Sequence, residues 1–202
     1  MTVTTEWNQL KSWLITNAPA TAAELLPPNE PQAREVQAAI GHWWGPEVDE
    51  WFSLQGGSDP MSAMIVPNFA PLTPAGCLRD WNMYVDSWKG IFGQEEMAEK
   101  RLEGVLDTAG SIAGMFLPTY VPLFRNFTGN MLFCDTRVGS EQWRISTWGH
   151  DAADETTEHW PSLRKLLAEV NESLESMSQI NYYVPSITPD GVLEWTTIGG
   201  CT

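Results

Sequence analysis

A chain of 202 residues, 43% hydrophobic and with 11 tryptophans, carries enough apolar material for one large domain with a substantial core. Eleven Lys and Arg against 26 Asp and Glu leave a formal charge of -15, which repels phosphate backbones and anionic membrane surfaces alike. The balance argues against direct nucleic-acid or membrane binding and steers a basic protein toward the chain.

From Thr5 to Ile15, Trp7, Leu10, Trp13 and Leu14 recur at helical spacing, and Asn17-Ala18-Pro19 supplies a stop. A second helix is predicted from Pro31, with Val36 and Ile40 on one face and Gly41 just past its end. Pro46 opens a third, whose Val48, Trp51, Phe52 and Leu54 form an apolar stripe before Gly56-Gly57. The run Ala63 to Val66, followed by Pro67, reads as a first strand. Thr73-Pro74 reads as an N-cap and first-turn proline for a helix bearing Leu78, Trp81, Val85 and Trp88. The stretch from about 91 to 114 mixes charges with glycines. It reads as a surface helix breaking into a loop around Gly110, and as a variable insertion.

Three β-like runs follow, Tyr120 to Phe124, Asn130 to Asp135 and Trp143 to Trp148, divided by Gly129 and by Gly139-Ser140, as in an antiparallel meander. A last helix starts near Trp160-Pro161 and repeats Leu163, Leu166, Leu167, Val170 and Leu174. Tyr182 to Val184 and Val192 to Thr196, joined at Pro189-Asp190-Gly191, read as a C-terminal β extension over about 180–198. No repeat or low-complexity linker divides the chain. The expected architecture is a single α+β domain over 1–202, a mainly antiparallel sheet flanked by helices.

Cys77, Cys134 and Cys201 are far apart, odd in number and without a C-x-x-C pair, so no disulfide framework or zinc site is expected. Residues 1–13 lack a basic region followed by an apolar run, and no stretch approaches the roughly 18 apolar residues of a membrane span. A cytoplasmic location follows as the expectation, and the N-x-S/T matches at Asn126 and Asn171 read as chance.

A nucleophile system can be assembled from Cys134, His150 or His159, and Asp151. It defines the alternative reading, a small-molecule-binding or hydrolytic domain with a pocket near Cys134, His150 and Asp135. Against it, Cys134 lies in the apolar run Met131-Leu132-Phe133-Cys134, where a buried structural thiol is the commoner outcome. The histidines among Asp151, Asp154, Glu155 and Glu158 fit no established metal-ligand spacing. Asp107-Thr108-Ala109-Gly110-Ser111 lacks the second copy that a carboxylate dyad requires, and no phosphate-binding loop or nucleophile elbow occurs. Most tryptophans are expected in the core, with one or two free to anchor a partner.

The segment Ile40-Gly41-His42-Trp43-Trp44-Gly45-Pro46-Glu47-Val48-Asp49-Glu50-Trp51-Phe52-Ser53-Leu54-Gln55-Gly56-Gly57 resembles the hallmark of the SUKH superfamily. In that family a helix ends at Gly, Pro begins the next helix after a short link, and an apolar helix runs into a Gly-rich turn. Gly41, Pro46, Trp51 and Gly57 match those positions. Ile65-Val66-Pro67, Leu72-Thr73-Pro74, Val121-Pro122-Leu123, the strand from Gly129 to Asp135 and the helix from Trp160 also resemble it. The chain departs in its longer Trp43-Trp44-Gly45 link, in Gly56-Gly57 where Asn-Gly is usual, and in the insertion. The Tyr183-Val184-Pro185 and Gly191-Val192-Leu193-Glu194-Trp195 tail looks like the Smi/Knr branch.

The resemblance implies a SUKH-like fold and a non-catalytic, cofactor-free role in binding another protein. Bacterial members act as immunity proteins that neutralise toxins, often basic nucleases, and fungal members regulate cell-wall assembly. Either role fits an acidic face. The densest candidate contact loop is Asp151, Asp154, Glu155 and Glu158, followed by Asp59, Asp80 and Asp86 near the Gly-rich turn and the tryptophan helix. A competing reading of that loop is a solvated connection whose acids favour the N-terminus of the last helix.

Overall fold

The run Met131-Leu132-Phe133-Cys134 is apolar without alternation, which requires cover on both faces of its strand. In the computed structural model, which describes residues 2–58, 62–87, 94–149 and 159–198, it is the central strand of a five-stranded antiparallel sheet. Among the described residues the helices are α1 (Val3–Asn17), α2 (Pro19–Ala23), α3 (Glu30–Ile40), α4 (Pro46–Leu54), α5 (Pro74–Ser87), α6 (Gln94–Leu106) and α7 (Leu163–Ser176). The strands are β1 (Ala70–Pro71), β2 (Tyr120–Arg125), β3 (Met131–Asp135), β4 (Ile145–Trp148), β5 (His159–Trp160), β6 (Tyr183–Ile187) and β7 (Leu193–Thr197). The first five lie side by side in chain order, and β6 and β7 form a separate two-stranded sheet. The chain is a single α+β unit.

Side chains alternate across a strand, so β3 divides the interior in two. Leu132 and Cys134 join Val121, Ile145 and Trp160 in a core completed by Trp7, Leu10 and Leu14 of α1, Val48 and Trp51 of α4, and Leu166, Leu167 and Val170 of α7. Met131 and Phe133 join Tyr84, Val85, Phe116, Leu117, Tyr120 and Trp148 on the other face. Trp7 meets Trp51 edge-on at 5.2 Å and Phe116 meets Trp148 edge-on at 5.3 Å, while Tyr120 stacks on Phe133 at 4.1 Å.

Local signals set the helix ends. Thr2, Asn29 and Ser162 cap α1, α3 and α7 by accepting from Thr5, Gln32 and Lys165 N–H. Pro46 begins α4, and Gly41 ends α3 in the left-handed region, its N–H bonded to the Gln37 carbonyl.

The structure corrects four expectations. Ala63 to Val66 is not a strand: Ile65 N–H turns back to the Ala63 carbonyl and Val66 bridges only Phe69, so the first strand is Ala70–Pro71. Trp143 is not in β4, because its φ of 74° breaks the extended run before Ile145. Asn17-Ala18-Pro19 does stop α1 at Asn17, but Pro19 also opens α2, a short helix the sequence reading lacks. A fifth strand at His159–Trp160 pairs with β4 just ahead of α7. The terminal hairpin does form. It docks through Trp195 Nε1–H on the Met64 carbonyl and Leu193 N–H on Thr21 Oγ1, both 2.8 Å.

Candidate functional site

The link between α3 and α4 holds two consecutive tryptophans in five residues, Gly41 to Gly45, too short for both rings to reach one core. Trp44 turns inward, fully buried and tilted against Phe52 at 5.2 Å. Trp43 turns outward and is 58% exposed. It is nonetheless held on two sides. Its Nε1–H donates to Asp49 Oδ2 at 3.0 Å, and its ring meets the Trp143 ring edge-on at 5.2 Å.

Asp49, one turn into α4, organises the link. Its other oxygen accepts from Gln37 Nε2 at 3.0 Å and from Trp44 Nε1, so one carboxylate binds both indoles and the side of α3. Three neutral donors leave its charge uncancelled, and the start of a helix favours it there. Trp143 reaches Trp43 by passing over Gly45. A Cβ at Gly45 would come 2.5 Å from Trp143 Cε3, and Gly45 itself lies at φ 93°, so only glycine serves. The positive φ of Trp143 is a strained conformation for a bulky residue. Its N–H bond to the Asp135 carbonyl, 2.8 Å, holds it there.

Beside this pair a groove of about 350 Å³ opens between α3 and α4, with Trp44, Phe52 and Ala33 in its lining and Glu30, Asp49 and Ser53 among its polar groups. Arg34, which also lines it, is paired with Glu30 at 3.2 Å. A second hollow adjoins Trp43 and His42. Burial lowers the His42 pKa from 6.5, outweighing the raising effect of its hydrogen bond with the Ile40 backbone, so the imidazole is neutral at pH 7. The Ser53 hydroxyl is committed to the Glu50 carbonyl at 2.7 Å. The arrangement suits non-covalent recognition: an ordered indole, an apolar floor and fixed carboxylates.

The residues singled out from the sequence fall elsewhere. Asp151, Asp154, Glu155, Glu158, Asp59 and His150 lie outside the described residues. Asp86 is exposed near the end of α5. Asp80 must be corrected from surface contact to interior ion pair: its side chain is 0% exposed and accepts from Arg125 Nη1 and Arg79 Nε, both at 2.9 Å. Sequence reading missed this because Arg125 arrives from β2.

Gly41 and Pro46 bound the tryptophan link, and Trp51 is fully buried behind it. Gly57 runs so close to the Leu72–Thr73 backbone that a Cβ would meet Thr73 N at 2.4 Å. The Gly129 carbonyl, in the turn between β2 and β3, accepts from Tyr84 Oη at 2.8 Å. Asp135 forms a buried pair with Arg137 at 2.8 Å and also accepts from Gly110 N–H at 2.9 Å. Cys134 is sealed in the sheet, and burial foremost, then the charges of Asp135 and Glu47, pushes its thiol pKa up. A thiolate nucleophile there is strongly disfavoured.

Asp49, Gly45 and Trp143 escape sequence reading. The available signal was the Trp43-Trp44 pair in a link bounded by Gly41 and Pro46. Among the described residues no three His, Cys, Asp or Glu are placed to hold a metal ion, and no helix is long and apolar enough to cross a membrane. No protein-family model matches the chain, and no curated protein matches it in sequence.

Proposed function

We propose that this protein is a non-catalytic binding protein of the SUKH type, Smi/Knr branch, which acts as an immunity or regulatory protein by engaging a basic protein partner. A toxin domain such as a nuclease fits that description, since its positive substrate-binding surface is the natural target of an acidic cover. One observation carries the reading: Trp43 is largely exposed yet already fixed by Asp49 and Trp143. An indole ordered before binding loses little rotamer freedom on contact, and tryptophan is the side chain most enriched at interface hot spots. The charge of -15 supports the sign of the partner. The hydrolytic alternative near Cys134 and His150 draws no support from a thiol held protonated inside the sheet.

The test is calorimetric titration of basic nuclease toxin domains with the wild type and Trp43→Ala. The substitution is expected to weaken binding at least about tenfold with an unchanged thermal midpoint, because the ring contributes little to the core. Affinity is also expected to fall steeply with salt. Equal affinity in Trp43→Ala would remove this face from the interface. Turnover of a substrate abolished by Cys134→Ala in a folded protein would overturn the binding role itself.

A further inference from the structure

Helix α6 has one side on the body and one that none of the described residues covers. Arg101, Gly104 and Val105 face inward: Arg101 Nη2 donates to the Val85 carbonyl at 2.7 Å, Val105 packs on the second core, and a Cβ on Gly104 would meet Leu117 Cδ2 at 2.8 Å. With about 100° of rotation per residue, Leu102 and Leu106 point well away from these, in a sector of about 60° that they share with Glu95 and Glu99. The two leucines are 59% and 75% exposed, and the side chains of Glu95, Glu99, Glu103 and Asp107 are exposed as well. Val138, whose carbonyl accepts from Ala109 N–H at 3.0 Å, adds another exposed apolar side chain nearby.

The charge on this face has one sign. Glu95, Glu96, Glu99, Glu103 and Asp107 stand against Lys100, which is bonded to Glu96 at 3.4 Å, and Arg101, which is turned inward. The helix is also anchored. Arg137 donates to the Gly104 carbonyl at 3.0 Å and the Ser111 carbonyl at 2.7 Å, and its partner Asp135 accepts from Gly110 N–H, so the turn after α6 is tied to the sheet.

We infer that this face of α6 docks a basic segment of another protein, one whose Lys or Arg side chains meet the row of carboxylates while its apolar side chains cover Leu102 and Leu106. Isolated exposed leucines are ordinary, but an i, i+4 pair on an anchored helix among uncancelled carboxylates has a complementary partner of defined chemistry. A second copy would bring like charges together, and nucleic acid or an anionic membrane would be repelled. The inference does not depend on Trp43.

The probe is a short fluorescent peptide with Lys and Leu at helical spacing, followed by anisotropy. The wild type is expected to bind it more weakly as NaCl rises. The pair L102S/L106S and the pair E99K/E103K are each expected to lose about tenfold or more in affinity, whereas E172K/E175K, the same charge change on exposed positions of α7, leaves it unchanged. No binding by the wild type, full binding by L102S/L106S, or an equal loss in E172K/E175K would overturn the inference. So would self-association of the wild type that L102S/L106S abolishes, since the occupant would then be a second copy.

Discussion

Replacing Asp135 by Ala takes from the buried Arg137 guanidinium the carboxylate it pairs with. The two side chains are 2% and 1% exposed, and the carboxylate accepts from Arg137 Nη2 at 2.8 Å, Arg137 Nε at 3.0 Å, Arg137 N–H at 3.1 Å and Gly110 N–H at 2.9 Å. Removing one member of a buried pair costs about 3–5 kcal/mol, because the other stays desolvated without the opposite charge that offset it. That is a large part of a total stability of about 5–15 kcal/mol. With a urea slope near 2 kcal/mol per molar, the midpoint should fall by about 2 M. The assay is urea unfolding followed by tryptophan fluorescence, with Arg137→Met and the double variant measured alongside. The double variant removes both charges and should be more stable than Asp135→Ala alone. Because Arg137 also stacks over Tyr120 at 5.2 Å and holds Gly104 and Ser111, amide exchange around 104–111 should accelerate. A loss below about 1 kcal/mol, or a double variant no more stable than the single one, would refute the reasoning.

Two further outcomes follow from the same geometry. Gly45→Ala places a methyl group in the Trp143 ring at a positive φ and should cost about 1–3 kcal/mol, while changing the near-ultraviolet circular dichroism of the Trp43–Trp143 pair; an unchanged spectrum and midpoint would contradict that contact. Cys77 and Cys134 are buried, and desolvation first and neighbouring carboxylates second raise both thiol pKa values. In native protein at about pH 8 neither should react with iodoacetamide faster than the chain unfolds, and rapid labelling of either by mass spectrometry would contradict their burial.

Helix α6 and the tryptophan link illustrate two ways a surface escapes sequence reading. The acids and leucines from 94 to 106 are visible as a surface helix, but only the anchoring of Gly104, Arg101 and Val105 shows which side is left open. At the link, the sequence shows that Trp43 and Trp44 share a short span. It does not show that Asp49 binds both indoles or that Trp143 crosses Gly45 to meet Trp43.

What the sequence determines by itself is local: where α3 stops and α4 starts, the Thr73 cap at the start of α5, the order of β2, β3 and β4, and the sign of the charge. These follow from glycine and proline dihedrals, side-chain oxygens that satisfy orphan N–H groups, and hydrophobic period, all properties of a few neighbouring residues. Tertiary structure decided the rest. Asp80 looks like a surface carboxylate until Arg125 is brought to it from β2. Ala63 to Val66 looks like a strand until Asn68 turns the chain at φ 61°. A buried charge or an exposed indole is defined by what arrives from elsewhere in the chain, and no local pattern encodes that arrival.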